Sequence, residues 1–249
     1  MRKYYLLFII IAFPFLIMGC IKGIKETNPV GKVYRDSIQL WGKNIPLPEG
    51  EWKVIGRGAQ GDIANKTGPF DQQAPYFDII LLKEFETKKV HSIMRITTES
   101  MANNSPGYLP NEYLKRKDVH HVVVKNNLEK GAQDGWLINH FIIDLNIKIS
   151  PSLEEAYNYL LSNKIVIPKL QIQTFHHFTG KYKKNRYLEV AYYINPEIEG
   201  FESPNETKWG SSEWHPLRIN NDPKKMAFIE KLKNEGVIMH EKIRVGFGD

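Results

Sequence analysis

The sequence predicts an α+β fold: one domain on a mostly antiparallel sheet, with one mid-chain helix and a C-terminal helix. Three observations lead there. Several runs alternate apolar and polar residues and are joined by short polar stretches. One segment, Pro151 to Asn163, carries a helical apolar stripe. The chain runs strands, one helix, strands and a terminal helix, an order that marks α+β rather than alternating α/β.

Taken in order, residues 21–44 are polar and lack a clear period, so they read as a tether with a short strand near Val33 to Leu40. Two prolines in Ile45-Pro46-Leu47-Pro48-Glu49-Gly50 block a helix. Glu51 to Arg57 reads as the first strand of the domain. Phe77 to Glu86 places Phe77, Ile79, Leu81 and Phe85 on one face, and Val90 to Thr98 does the same with Val90, Ser92, Met94 and Ile96. The short Thr87-Lys88-Lys89 joint makes these two runs a hairpin. Residues 99–117 read as a loop. Val119 to Lys125 and Trp136 to Ile147 follow as strands, with Leu137, Phe141, Ile143, Leu145 and Ile147 sharing a face.

In the mid-chain helix Leu153, Ala156, Tyr157, Leu160 and Leu161 form the stripe, and Ser152 with Glu155 has capping-box spacing. Lys169 to Phe178 and Tyr187 to Asn195 form a second hairpin, with the basic run Lys181 to Arg186 at its tip. Asp222-Pro223 opens the last helix, aspartate as cap and proline at the first helical position. The apolar spacing from Phe228 to Phe247 favours one long helix to about residue 245, bent or thinned near Gly236; the alternative ends it at Gly236 and adds a strand.

The 249 residues contain a single cysteine, Cys20. A basic pair, Arg2-Lys3, precedes an apolar run from Tyr4 to Met18, then Gly19 and Cys20. This is the three-part pattern of a secretory signal, and it is shorter than the roughly 20 residues that span hydrocarbon. Leu16-Ile17-Met18-Gly19-Cys20 resembles the bacterial lipobox. The resemblance implies cleavage before Cys20, a diacylglycerol on its thiol and acylation of the new amine. It covers the first 20 residues or so. Ile21, where an inner-membrane retention signal would place Asp, favours the outer membrane. The domain plan is therefore residues 1–19 as signal peptide, 20–44 as lipidated cysteine and tether, and 45–249 as a single α+β domain. Two acyl chains suffice for stable anchoring. With its cysteine committed to lipid, the mature domain has no disulfide and no thiol chemistry.

Losing residues 1–19 removes Arg2 and Lys3, leaving 32 basic against 28 acidic side chains, a net of +4. That mild excess reads as a lysine-rich solvated surface, with anionic lipid head groups or wall polymers as available partners rather than nucleic acid.

Gly56-Arg57-Gly58-Ala59-Gln60-Gly61 matches G-x-G-x-x-G, but no helical stripe follows, so the expectation is a glycine-rich turn and no dinucleotide site. His120-His121 and His176-His177 are neighbours on strands and point to opposite faces. One histidine of each pair could meet across paired strands. His140 and Asp144 lie too far apart along a strand to touch. No metal site and no cofactor is expected. Ser211, Ser212, Glu213 and His215 are close in sequence, which does not make a triad. Glu197, Glu199 and Glu202 read as a solvated acidic loop.

The long Asn195–Asp222 loop carries Phe201, Trp209, Trp214 and His215. Loops of that length are functional or disordered, and its aromatics argue against disorder. The tryptophans either pin it to the sheet or form a binding platform with Trp209, Trp214 and His215 as site residues. Pro46 to Trp52 and Ser212 to Lys224 are similar to segments of exported bacterial proteins of unassigned function, a resemblance that implies no activity. The functional expectation is a periplasm-facing lipoprotein, held by membrane lipid through Cys20, acting as a non-enzymatic envelope binding or assembly protein with an envelope protein or glycan as partner. The alternative is an envelope hydrolase acting on a glycan or ester.

Overall fold

The computed structural model describes residues 25–40, 43–60, 76–85, 87–99, 111–127, 132–142, 150–179, 187–204 and 208–248. The lipobox, Asp144, the run Ile143–Ile147 and the basic tip at 181–186 lie outside these residues. Within them the α+β expectation holds. The strands are β1 (Val33–Tyr34), β2 (Ser37–Leu40), β3 (Lys43–Pro46), β4 (Trp52–Gln60), β5 (Tyr76–Phe85), β6 (Lys89–Glu99), β7 (His121–Asn127), β8 (Ala132–Ile142), β9 (Leu170–Thr179) and β10 (Tyr187–Ile194). The helices are α1 (Pro151–Ser162) and α2 (Pro223–Gly248).

Eight strands form one antiparallel sheet in the order β1-β4-β5-β6-β10-β9-β8-β7, and β2-β3 form a separate hairpin. The sheet is covered on both faces. The front carries α2 and the β2-β3 hairpin, whose Ile38, Leu40 and Ile45 join Trp52, Phe77, Met94, Val190 and Ile243 in the largest core cluster. The back carries α1, with Ala156 and Leu160 over Ile55, Ile80 and Leu82. It also carries a 3-10 turn at Glu112–Lys115, whose Leu114 packs on Leu137, Phe175 and Ala191. No described helix is long and apolar enough to cross a membrane.

The structure departs from the sequence expectation in three places. Residues 28–40 are not tether: the Gly31 amide donates to Val54 O at 2.8 Å, Val54 N donates to Lys32 O at 2.8 Å, and Ile38 and Leu40 are core. A polar, aperiodic segment hid this, because one hairpin face needs only three apolar side chains.

The glycine motif is not a turn. Gly56 and Gly58 lie inside β4, where a Cβ would stand 2.2 Å from Ser152 O and 2.9 Å from Ser152 N respectively. The missing side chains admit the first turn of α1. The α1 cap is Ser150, which accepts from Leu153 N, with proline at the first helical position. Ser152 is instead buried, and Glu155 accepts from Arg57 N at 2.8 Å.

As expected, α2 is one long helix that runs through Gly236. A Cβ there would meet Trp136 at 2.6 Å, so glycine serves close packing of helix on sheet. Asp222 caps α2 as expected, accepting from Lys224 N and Lys225 N at 3.1 Å each.

Candidate functional site

The 195–222 loop is stitched to the front of the sheet by three 3-10 turns, at Pro196–Glu199, Trp209–Ser211 and Ile219–Asn221. Trp214 is fully buried, edge-on to Phe201 and Phe228 at 5.0 and 6.0 Å. Trp209 is half-buried and stacks on His140 with ring centroids 3.8 Å apart. Its other neighbours are Arg116, whose guanidinium lies 4.3 Å from the indole, and Asp118, which accepts from Nε1 at 3.2 Å. Arg116 in turn donates to both oxygens of Asp118, and those bonds hold the carboxyl down at about 2. The two tryptophans thus fasten the loop, and the ring of Trp214 is not available to a ligand.

His215 is buried and receives Leu217 N on Nδ1 at 3.2 Å. Its ring lies 5.8 Å from that of His140, which lies 6.1 Å from that of His120. Burial is the leading cause that lowers both His120 and His140 to about 4. In this layer His120 and His140 are neutral imidazoles, and the ring of His215 packs edge-on to His140. Among the described residues no three His, Cys, Asp or Glu side chains are placed to hold a metal.

The remaining sequence candidates are dispersed. Ser212 is buried and accepts from Trp214 N, while Ser211 donates to Lys208 O. Neither meets a histidine in the manner of a triad. Glu197 and Glu199 pair with Lys89 and Lys231. His176 and His177 do point to opposite faces, toward His240 and Glu189 respectively. Neither meets His120 or His121, because β7 pairs with β8 and not with β9.

The front face carries a cavity of about 450 Å³ that the sequence did not announce. Its floor is β5, β6, β10 and β9; its roof is α2 from Phe228 to Met239; Pro48 and Glu49 close one side. Trp52, Tyr192, Ile194, Phe228 and Leu232 supply apolar walls, and Lys83, Glu49, Glu199, Lys231 and Glu235 are its charged groups. The volume falls within the 300–1,000 Å³ of ordinary ligand pockets.

Consecutive strand residues His91 and Ser92 both line this cavity, which regular pleating forbids. The register explains it. Lys83 pairs with Ser92 and Glu84 with Val90, so His91 is the extra residue of a β-bulge. Asn195 fixes the bulge by donating Nδ2 to Val90 O and its amide to His91 O. The bulge also sends Val90 to the back-face cluster, away from Met94 and Ile96. His91 Nδ1 and Ser92 Oγ are 2.8 Å apart. Burial first, then Lys83, holds the His91 pKa below its ordinary value, against the pull of Glu199.

No family model matches the chain, and no curated protein or solved structure matches it.

Proposed function

We propose that this protein is a membrane-anchored lipoprotein whose domain is a non-enzymatic envelope binding protein, with the cavity beneath α2 as its ligand site. The observation behind the binding role is that cavity, apolar within and ringed by charges of both signs. Its chemistry suits an amphipathic ligand: an apolar body against Trp52, Phe228 and Leu232, and a polar end near Lys83 and Lys231. Anchoring rests on Leu16 to Cys20. Cys20 takes the acyl chains, and the domain faces the periplasm from the outer membrane.

Titration of the lipoprotein with a fluorescent long-chain acyl probe tests the cavity. Saturable binding is expected, weakened at least ten-fold by Thr174→Phe, which fills the floor. The same loss is expected from Ile238→Asp at a lining residue that is 57% exposed and whose replacement leaves the core intact. Binding indifferent to both variants overturns the assignment. Palmitate labelling tests the anchor: label entering Cys20→Ala refutes it.

A second reading, an ester hydrolase, is favoured by one observation, the 2.8 Å contact of Ser92 Oγ with His91 Nδ1 in the cavity wall. A nucleophile needs such a base within hydrogen-bond reach. Turnover of a soluble aryl ester that disappears in Ser92→Ala would move the assignment to this reading; no turnover above the Ser92→Ala background dismisses it.

A further inference from the structure

The back face of the sheet carries a row of polar side chains that packing does not require. Asp78 on β5, Thr97 on β6, Glu189 on β10 and His177 on β9 stand directly opposite one another across four strands. Arg95 lies two residues along β6 from Thr97. Its Nη2 donates to Asp78 at 2.8 Å. Thr97 and Ser152 hydroxyls donate to the same carboxylate at 2.7 and 3.0 Å. Glu189 accepts from Asn111 Nδ2 at 2.6 Å and from His177 Nδ1 at 3.1 Å. Burying such a row costs desolvation that an apolar row would avoid.

Two features give it a ligand's logic. First, α1 covers β4 and β5, and the 112–115 turn covers β8 and β9. Over the middle strands between them, Arg95 stays 27% exposed and Glu189 18%. Second, polar atoms on this face lack any partner among the described residues: Arg95 Nε and His177 Nε2. His177 is 1% exposed, and buried polar atoms ordinarily find partners.

We propose that this strip is a second ligand site, distinct from the front cavity, and that it takes the hydroxyl groups of a carbohydrate. The carboxylates are already matched by Arg95, Asn111, His177 and two hydroxyls, so the strip demands neither a cation nor an anion. What it leaves open is a mixture of donors and acceptors, and a sugar hydroxyl is both at once. Half-buried Tyr187 and Tyr193 lie on the same face and offer ring surfaces to the C–H side of a pyranose. From Asp78 on β5 to His177 on β9 the row crosses three strand spacings, about 14 Å. That length fits an oligosaccharide better than a single ring.

Calorimetric titration of the detergent-solubilised full chain with chitotetraose, cellotetraose and maltotetraose tests the site. Saturable binding to at least one is expected. Arg95→Lys keeps the charge beside Asp78 but loses Nε–H, and Glu189→Gln keeps the shape; each should weaken binding at least ten-fold. Thr174→Phe on the front face should leave it unchanged. Near-ultraviolet circular dichroism identifies a variant that has lost its packing, and the other variant then decides. Binding to none of the three sugars, or binding equal to wild type in both variants, overturns the proposal and leaves the strip holding ordered water only.

Discussion

His240 on α2 and Asp134 on β8, 106 residues apart in the chain, share a 2.6 Å hydrogen bond between Nε2 and Oδ1. The other ring nitrogen of His240 lies 3.2 Å from Nδ1 of His176, which is fully buried beneath the helix. Of the two facing Nδ1 atoms, one donates and the other accepts. The chain Asp134–His240–His176 is a polar rivet through an otherwise apolar contact of α2 with the sheet.

Removing the middle of that rivet should loosen α2. His240→Leu leaves Asp134 and His176 without their partner, at a cost of about 1–3 kcal/mol for a buried group so orphaned. Urea denaturation should show a lower midpoint with an unchanged slope; an unchanged midpoint would mean that apolar packing alone seats the helix.

Acid should destabilise the protein well above the carboxylate range. His120 and His140 are held neutral at about 4, chiefly by burial, against 6.5 when unfolded. Burial pushes His176 down as well. The unfolded chain therefore binds protons that the folded one refuses. The stability is fully present above pH 6.5 and is lost as pH falls from 6.5 toward 4. Each of the first two histidines contributes roughly 3 kcal/mol at most over that window. Urea midpoints measured from pH 7 to 4 should drop steeply, and His140→Gln should flatten the slope.

Two glycines should respond to alanine to very different degrees. A Cβ on Gly56 would fall 2.2 Å from the Ser152 carbonyl, while one on Gly210 meets nothing within 4 Å. Gly56→Ala should cost about 1–3 kcal/mol by overpacking, and Gly210→Ala about 0.5 kcal/mol or less. Thermal melts of the two variants compare them directly.

Asp78→Ala should be among the most damaging single changes. It removes the partner of Arg95 from a position where Asp78 is wholly buried. Breaking a buried ion pair from one side costs about 3–5 kcal/mol. A melting temperature within a degree or two of wild type would show that water replaces the carboxylate at no cost.

How much of this was legible in the sequence follows from the kind of signal involved. Alternation in Phe77–Leu81 and Leu188–Ile194 located strands, because a half-buried strand must alternate. Ser150-Pro151 contained the true cap of α1, whereas the capping-box spacing of Ser152 and Glu155 goes unused as a cap. The His91 bulge left no mark, since one extra residue is defined only by the partner strand that skips it. The cavity was illegible for the same reason. Trp52, Ser92, Thr174, Tyr192 and Leu232 come from five separate elements, and nothing local ties them together. Trp209 and Trp214 were visible as unusual loop residues, but only the stack on His140 and the burial beside Phe228 distinguish a fastener from a platform.

The early start of the fold sets the length of a leash. Arg57 Nη1 donates to Asn28 O at 3.0 Å, and Asn28 is buried. Only seven residues lie between it and Cys20, a reach of about 28 Å at full stretch. With Cys20 acylated as proposed, the domain cannot roam across the envelope. It works within one protein diameter of its own bilayer, where whatever it binds must come to the membrane surface.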